Sequence, residues 1–395
     1  MAKTARERFE EGRKAYDEGD AGAALGHFDA ALEQEPRSAE GWFGRGLALG
    51  SLSRWEEALA SLDRALGLDD LHPGSWYFRG VVLEKTGRKD EALSAYEAAL
   101  RFDPSMFDAW SSKGLLLGDL GRDKEAVACF ARALDISPLD DETWYNKGVS
   151  LSRMGSSSEA IRCFETAAGI NPDFALAWFD IGVLRWELGR PGEALECFDR
   201  AISLGPPSSD VFVRKGAALE ELGREEDALG AFEAALGMDP DNARAWNNKG
   251  SLLWERGQQK EAMECFDRAL ELDPGEPRAW YNKGNAFGRL VQHERAVECF
   301  DRALALDPAD EEVWFSRGVS LGEIGRGEPA IRSFDEAIAV NGRYADAWHG
   351  KGLVLTGLFR PLEALRCFDK ALEIDPGHAE AREARKALFE QLHEP

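Results

Sequence analysis

Residues 278–290 read RAWYNKGNAFGRL, and this stretch has two distinct faces when it is wound as a helix at 100° per residue. One stripe steps by four, three and four residues through Trp280, Gly284, Phe287 and Val291. A second stripe has the same steps and carries Arg278, Asn282, Asn285 and Arg289. The two stripes start two residues apart, so they lie on roughly opposite sides of the helix. We therefore predict that the first stripe is buried, and we ask whether the second holds a ligand.

The same pattern returns every 34 residues along almost the whole chain. The large aromatic positions are Trp42, Trp76, Trp110, Trp144, Trp178, Phe212, Trp246, Trp280, Trp314 and Trp348. A glycine follows four residues later in every copy, an aromatic side chain about twenty residues later in most, and a proline twenty-eight residues later in most, including Pro206. Each period predicts two helices, the first ending near a glycine such as Gly257 and the second stopping before Asp-Pro.

The motif W-x3-G…A-x3-F-x2-A…P at this period resembles the tetratricopeptide repeat, the TPR. The resemblance implies an all-α, right-handed α-solenoid (superhelix) of helix–turn–helix repeats, with the first helix of each pair lining the concave surface. Residues 1–4 are predicted to be a tail and residues 379–395 a terminal capping helix. The eleven predicted repeats are 5–38, 39–72, 73–106, 107–140, 141–174, 175–208, 209–242, 243–276, 277–310, 311–344 and 345–378.

The net charge of the chain limits the kinds of partner that it can be expected to bind. A net charge of −24 argues against nucleic acid and anionic membranes, since both need clustered cations. Without a hydrophobic run of membrane-spanning length or a signal-like start, we expect a cytoplasmic protein. The Trp-Tyr-Asn-Lys-Gly style is similar to that of prokaryotic repeat arrays.

The cysteines occupy one position of the period, immediately before the second-helix aromatic. They are Cys129, Cys163, Cys197, Cys265, Cys299 and Cys367. Other copies place serine or alanine there, and the degenerate first copy has His27, so we interpret cysteine as a small apolar filler and expect free thiols. No CxxC pair, nucleophilic triad or phosphate-binding loop stands out, and we predict no metal site and no cofactor.

One position departs from the family pattern. Three residues after the tryptophan, where the family usually has leucine, this chain has lysine or arginine in nine of ten copies. The exception has Ile181 there, with Arg185 four residues later. We predict that the basic stems cover apolar surface while their charged heads stand in water.

Function is expected where the copies differ. In repeats two to six the groove stripe is mostly apolar, with Phe43, Leu47, Tyr77, Val81, Leu115, Tyr145, Val149, Phe179 and Val183. In repeats seven to nine it becomes cationic and amide-rich. The candidate groove residues are Trp186, Arg214, Arg244, Asn247, Asn248, Trp254, Arg278, Tyr281, Asn282, Asn285 and Arg289.

Our hypothesis is that this groove holds an extended peptide that is acidic or bears a C-terminal carboxylate. Arginine would pair with carboxylates and asparagine with the peptide backbone. The alternative is that the cations pair with neighbouring acids, namely Asp210, Glu220, Glu221 and Glu255. Some TPR proteins clamp C-terminal carboxylates with five residues. Asn248 and Arg278 match that clamp, whereas Val213, Ala217 and Asn282 do not fit it.

The sequence thus predicts a non-enzymatic protein-binding scaffold or adaptor. One rival is an RNA-binding helical-repeat protein, against which the period and the charge both speak. Another is an enzyme with a site in the groove, for which no convergent set of titratable residues exists. Self-association, through the ends or the apolar N-terminal groove, remains open.

Overall fold

The computed structural model describes residues 3–205 and 207–393, and within these residues the chain forms 23 α-helices and no strand. Residues 1–2, Pro206 of the proline position, and residues 394–395 of the predicted capping helix lie outside the described residues. Numbered in chain order, the odd helices up to α21 are the first helices of each period and the even ones are the second helices.

The first helices are α1 Ala5–Asp17, α3 Ala39–Ser51, α5 Pro73–Lys85, α7 Phe107–Asp119, α9 Asp141–Arg153, α11 Ala175–Glu187, α13 Ser209–Glu221, α15 Ala243–Glu255, α17 Pro277–Arg289, α19 Glu311–Glu323 and α21 Ala345–Gly357. The second helices are α2 Ala21–Leu32, α4 Trp55–Leu66, α6 Lys89–Phe102, α8 Asp123–Ile136, α10 Ser157–Ile170, α12 Pro191–Leu204, α14 Glu225–Met238, α16 Gln259–Leu272, α18 His293–Leu306, α20 Gly327–Val340 and α22 Pro361–Ile374. A last helix, α23, spans Ala379–His393.

The chain divides into two compact units. The first unit is Met1–Leu188 with Ser203–Gly205, and the second is Gly189–Ile202 with Pro206–Pro395. Within each unit most first helices pack on their own second helix, and several first helices also contact the next first helix. Each unit is therefore a stack of helix pairs, an α-solenoid with the first helices in one layer. Among the described residues, no helix is both long and apolar enough to cross a bilayer.

Several first helices begin at a residue whose side chain accepts from a free N–H group of the first turn. Ser38 Oγ accepts from the Gly41 N–H at 3.1 Å, and Asn242 Oδ1 accepts from the Ala245 N–H at 2.9 Å. Many first helices end at a glycine with positive φ, such as Gly257 at 79°. Only glycine adopts this left-handed conformation without steric cost, which explains its recurrence in the sequence.

Val291 corrects the helical stripe drawn from the sequence. Helix α17 ends at Arg289, and Val291 takes the left-handed position with φ 60° and a 76% exposed side chain. The prediction that Val291 is buried with Trp280 and Phe287 is therefore wrong. The helical period does not extend past the residue that ends the helix. Ser53 and Phe359 occupy the same conformation in their own periods.

The core of each period is an aromatic ring against a glycine backbone. A Cβ built on Gly284 would lie 2.6 Å from the Phe300 ring, so a first and second helix can meet only because this residue has no side chain. The same arrangement recurs at Gly114 with Phe130 and at Gly216 with Phe232. The six cysteines beside these rings are buried and none of them forms a disulfide bond, as the sequence predicts.

The lysine or arginine three residues after the tryptophan joins consecutive periods. Lys283 Nζ lies 2.6 Å from Asp267 Oδ1 of the preceding second helix and 5.6 Å from the centre of the Trp280 ring. The Lys283 side chain is only 18% exposed. The prediction that the charged head stands in water is therefore wrong, because the head is paired with a carboxylate. Equivalent pairs are Asp29–Arg45, Asp63–Arg79, Glu97–Lys113, Asp199–Lys215, Glu233–Lys249, Asp301–Arg317 and Asp335–Lys351.

Candidate functional site

The row of arginine and asparagine side chains lies on α17, in the second unit. Arg278 and Arg289, at the two ends of the helix, are exposed, while Asn282 and Asn285 between them are half-buried. We call these four residues the α17 row. Their partners decide which of them are available to a ligand.

The amides of the candidate site form a short chain across two helices. Asn282 Nδ2 donates to Asn247 Oδ1 at 3.0 Å, and Asn247 Nδ2 donates to Asn248 Oδ1 at 3.3 Å. Asn247 is only 4% exposed. This candidate residue therefore joins α15 to α17 and does not present its amide on the surface. The first unit uses the same offset of 35 residues, where the Tyr145 hydroxyl donates to Asp180 at 2.7 Å.

The two arginines of the α17 row have carboxylates nearby. Arg289 Nη1 lies 3.1 Å from Glu255 Oε1, which is one of the acids that the sequence offers as an alternative partner. Arg278 Nη1 lies 4.0 Å from Glu312, an acid that sequence reasoning missed, and its guanidinium carbon sits 5.3 Å from the Tyr281 ring centre. The Tyr281 hydroxyl also reaches Glu312, at 3.5 Å. Both arginine side chains remain at least 60% exposed, so solvent weakens these pairs.

A cleft of about 420 Å³ brings part of the candidate site together. We call it the second-unit cleft. Its lining is Ser251, Trp254, Glu255, Phe266, Asn282, Asn285, Ala286, Gly288, Arg289, His293, Phe300, Phe315, Ser316, Val319 and Ser320. Four predicted residues are among them, and the rest come from α15 to α19.

Sequence reasoning missed the apolar part of the second-unit cleft. Phe266 and Phe300 carry the second-helix aromatic position, which the repeat assigns to the core alone, and both rings are almost fully buried. Phe315 and Val319 occupy the positions on α19 that correspond to Tyr281 and Asn285 on α17. Comparing these positions one period further along the chain would have found them. The Nδ1 atom of His293 is buried here and has no hydrogen-bond partner within the described part of the chain.

The remaining candidate residues lie outside the cleft lining. Arg244 is exposed on α15, and within residues 3–205 and 207–393 no carboxylate lies within 4.0 Å of its guanidinium. Arg214 is half-buried on α13. Trp186 is half-buried on α11, which belongs to the first unit.

Several carboxylates lie on the same helices as the candidate arginines or close to them. Glu220 on α13 is partly buried, and this burial, together with the charges of Glu221, Glu225 and Glu255, raises the pKa of its carboxyl. Of the acids proposed as alternative partners, only Glu255 forms an ion pair with the α17 row.

The cysteines show no sign of activation. Burial raises the pKa of the Cys299 thiol to about 11, with the nearby Lys283 charge acting in the opposite direction. Burial likewise raises the pKa of Cys129 and Cys265. These thiols are therefore protonated at neutral pH and are poor nucleophiles and metal ligands. Among the described residues, no group of three or more His, Cys, Asp or Glu side chains could hold a metal ion.

The apolar stripe of the first unit contains a second concave feature, a pocket of about 500 Å³ that includes Phe43 and Leu47. Elsewhere on this stripe Tyr145 bonds to Asp180. Burial raises the pKa of the Asp180 carboxyl, while the hydrogen bond that Asp180 accepts from the Tyr145 hydroxyl lowers this pKa. The first unit thus offers a pocket of its own, near the start of the chain.

Several solved structures resemble this chain in fold. YrrB, described as "a TPR protein with an unusual peptide-binding site", is 26% identical, with 49% of this chain and 99% of that chain covered and a TM-score of 0.42. The APC/C hetero-tetramer Cut9-Hcn1 is 15% identical, with 98% of this chain and 90% of that chain covered and a TM-score of 0.55, a likeness of fold alone. None of the curated proteins matches this chain.

Family models described as "Tetratricopeptide repeat" match most of the sequence. One matches residues 9–75, 45–107, 79–141, 145–209 and 213–277, and two others match 277–310 and 345–378. TPR proteins bind proteins or peptides, so the match supports a general role in protein interaction. With a helix pair in each described period and family matches along most of its length, the chain belongs to the tetratricopeptide repeat family.

Proposed function

We propose that the protein is a non-enzymatic scaffold that holds an extended, carboxylate-bearing segment of a partner protein in the second-unit cleft. The observation that carries the proposal is the shared lining of this cleft, where Trp254, Asn282, Asn285 and Arg289 border one space over aromatic rings. Apolar walls with a few polar groups are typical of binding sites, and tryptophan and arginine supply much of the energy at interfaces.

The polar groups suit a peptide with carboxylates. The Asn285 amide makes no hydrogen bond to another described residue, so it is available to a peptide backbone. The Arg289 guanidinium can hold a second carboxylate beside Glu255, because it presents five donors in a planar fork. Arg278 and Arg244, both exposed, extend the positive charge along α15 and α17.

The glutamates that already pair with these arginines lower the affinity of the site for a peptide carboxylate. A ligand carboxylate competes with Glu255 for Arg289 and with Glu312 for Arg278, and the net charge of −24 repels an acidic peptide at long range. Binding is therefore expected to depend on the apolar contacts as much as on charge. It should also weaken with salt, because the arginines are exposed.

Two observations support a scaffold over an enzyme, namely the raised pKa values of the cysteine thiols and the match to the tetratricopeptide repeat family. The raised pKa values of the thiols disfavour nucleophilic catalysis, and the family match favours protein binding. Screening for activity would count against this part of the proposal if turnover appeared and was lost with substitutions in the second-unit cleft.

Peptide titration with the full chain tests the site. The probe is a fluorescein-labelled decapeptide of alternating glutamate and leucine with a free C-terminal carboxylate, followed by fluorescence anisotropy. We expect Arg278→Gln/Arg289→Gln to weaken binding at least about tenfold, the scale of losing two charge-assisted hydrogen bonds. Arg268→Gln is the matched control, because Arg268 is a half-exposed arginine that pairs with Asp241 and Glu271 away from the cleft lining.

Two outcomes would reject the peptide site. One is no binding of this probe by the wild-type chain, and the other is equal affinity for wild type and the double variant. A C-terminally amidated version of the same decapeptide then separates acidic side chains from the terminal carboxylate, since only the latter is lost on amidation.

A further inference from the structure

The pocket of the first unit has an acidic rim, unlike the second-unit cleft, where Arg289 pairs with Glu255. It encloses about 500 Å³ between α1, α2, α3 and the residues that lead into α5. That volume lies within the range of about 300–1,000 Å³ that is typical of ligand pockets. We call it the first-unit pocket. Its chemistry follows from an apolar floor and an acidic rim.

The floor of the first-unit pocket is aromatic. Phe9 and Phe28 are almost fully buried, while Tyr16, Phe43 and Leu47 are half-buried and face the same space. Phe43 is further fixed by an edge contact with the His72 ring, whose centre lies 4.9 Å away. His72 is itself held, because its Nδ1 atom accepts from the Ser75 N–H at 3.0 Å. These contacts make the floor a formed surface.

A glycine lets α3 pack directly against the Phe28 ring at the floor of the first-unit pocket. The position two residues after the tryptophan is Gly44 in this period, whereas the next periods carry Phe78, Ser112 and Asn146. A Cβ at Gly44 would lie 2.5 Å from the Phe28 ring, so no side chain fits while Phe28 keeps its place. In this period the Phe28 ring therefore takes the space that a side chain at this position would need.

The rim of the first-unit pocket carries excess negative charge. Its charged residues are Arg13, Asp17, Glu40 and Asp69. Arg13 Nη1 lies 3.0 Å from Glu40, so these two charges offset each other. Asp17 and Asp69 are exposed, and no basic side chain lies within 4.0 Å of either carboxylate among the described residues. Two carboxylates beside aromatic rings suit a cation carried on an apolar stem.

We propose that the first-unit pocket binds a basic, amphipathic segment of a partner protein. The apolar side chains and the lysine or arginine stems of that segment lie on Phe9, Phe28, Phe43 and Leu47, and its charged groups meet Asp17 and Asp69. The site is separate from the proposed carboxylate site, so the chain carries two binding surfaces of opposite preference, one in each unit. A basic segment is favoured over an acidic one because its charge complements the acidic rim and the net charge of −24 of the chain.

The test uses two basic decapeptides with the same charge. One alternates lysine with leucine and the other alternates lysine with serine, both fluorescein-labelled and followed by anisotropy against the full chain. We expect the lysine–leucine peptide to bind at least tenfold more tightly than the lysine–serine peptide. Asp17→Asn/Asp69→Asn should weaken the lysine–leucine peptide at least tenfold, and Ala39→Trp, which fills the pocket, should do the same. Circular dichroism checks that each variant keeps its helices.

The matched control removes the same two charges from the same unit. Glu33→Gln/Glu35→Gln changes exposed residues at the end of α2 that do not line the pocket, and it should leave the affinity unchanged. Equal binding of the two peptides, or equal losses in the control and the Asp17→Asn/Asp69→Asn variant, would mean general attraction to an acidic chain and would overturn the proposal. Dimers that light scattering detects in the wild type, and that Ala39→Trp abolishes, would also overturn it, since a second copy would then be the occupant. None of these readouts depends on Arg278 or Arg289, so failure here leaves the second-unit proposal standing.

Discussion

The Arg185 guanidinium lies 2.9 Å from the Glu165 carboxylate, although Arg185 stands one helical turn away from the position that supplies the cation in the neighbouring periods. Ile181 fills that position and is fully buried. The cation and the aliphatic side chain have exchanged places, yet the bond to the preceding second helix is kept. The pairing itself, and not the residue that provides it, is therefore the recurring feature of the fold.

The period around Lys147 lacks this acid and offers a test. Lys147 lies 5.0 Å from the Trp144 ring centre, but the residue sixteen positions before it is Ala131. We expect Ala131→Glu to be more stable than Ala131→Gln by about 0.5 kcal/mol, the usual size of a partly exposed ion pair. Urea unfolding at low and high salt measures it. The difference should vanish when Lys147→Met is added to both, and persistence in that background would contradict an ion pair.

The residues with positive φ predict gains in stability. Val291 and Phe359 are exposed and occupy a backbone conformation that costs a residue with a side chain about 1–2 kcal/mol. Val291→Gly and Phe359→Gly should therefore each raise stability by about 1 kcal/mol. The gain is smaller than the strain relieved, because glycine also increases the conformational entropy of the unfolded chain. Thermal unfolding checks this. The reverse change, Gly257→Val, should lower stability, and a neutral result there would show that the strain is relieved elsewhere.

Two glycines on α17 should respond in opposite directions to the same substitution. A Cβ at Gly284 would come within 2.6 Å of the Phe300 ring, so we expect Gly284→Ala to cost about 1–3 kcal/mol through overpacking. At Gly288 the nearest atom would be Ser320 Oγ at 4.0 Å, and Gly288→Ala should gain about 0.5–1 kcal/mol from helix propensity. Urea midpoints of the two variants, measured together, would disprove the packing argument if they shifted in the same direction.

Glu220 predicts a pH-dependent stability. Its carboxyl pKa is raised on folding by burial and by neighbouring carboxylates, so the folded chain binds the proton more readily than the unfolded chain. Stability from this group is therefore highest below its ordinary pKa of 4.5 and falls as the pH rises through the raised value. Glu220→Gln should raise the urea midpoint at pH 7, and the gain should shrink toward pH 4. A gain of equal size at both pH values would contradict this assignment.

Much of the fold could be predicted because each period repeats the same physical solution. Gly284 and Phe300 show it, since a glycine and a ring at fixed spacing are what allow two helices to meet. The partner of Lys283 was missed, although Asp267 follows the second-helix aromatic as an acid does in nearly every other period. Val291 was missed because a helical stripe was continued past the end of its helix, where neighbouring periods have glycine.

The candidate site was only partly readable. Spacing on one helix places Asn285 and Arg289 on a common face, but it does not tell which side chains of the next helix will lie beside them. Asn247 was expected on the surface and is buried against Asn282, because the distance between α15 and α17 decides its exposure. The aromatic rings at the base of the second-unit cleft come from α16 and α18, so only the packed structure joins them to the polar row.

The link between each acid and the cation sixteen residues later makes the chain tolerant of changes in copy number. The two partners belong to consecutive periods, so excising or inserting 34 residues within a unit sets an acid opposite a cation at the same offset wherever neither Ala131 nor Ile181 is at the junction. Such a junction therefore needs no new interface. Ala131 marks the one boundary where an added copy would meet no acid. Away from that boundary, a gene that gained or lost whole periods could change the number of repeats while keeping an ion pair at each new junction.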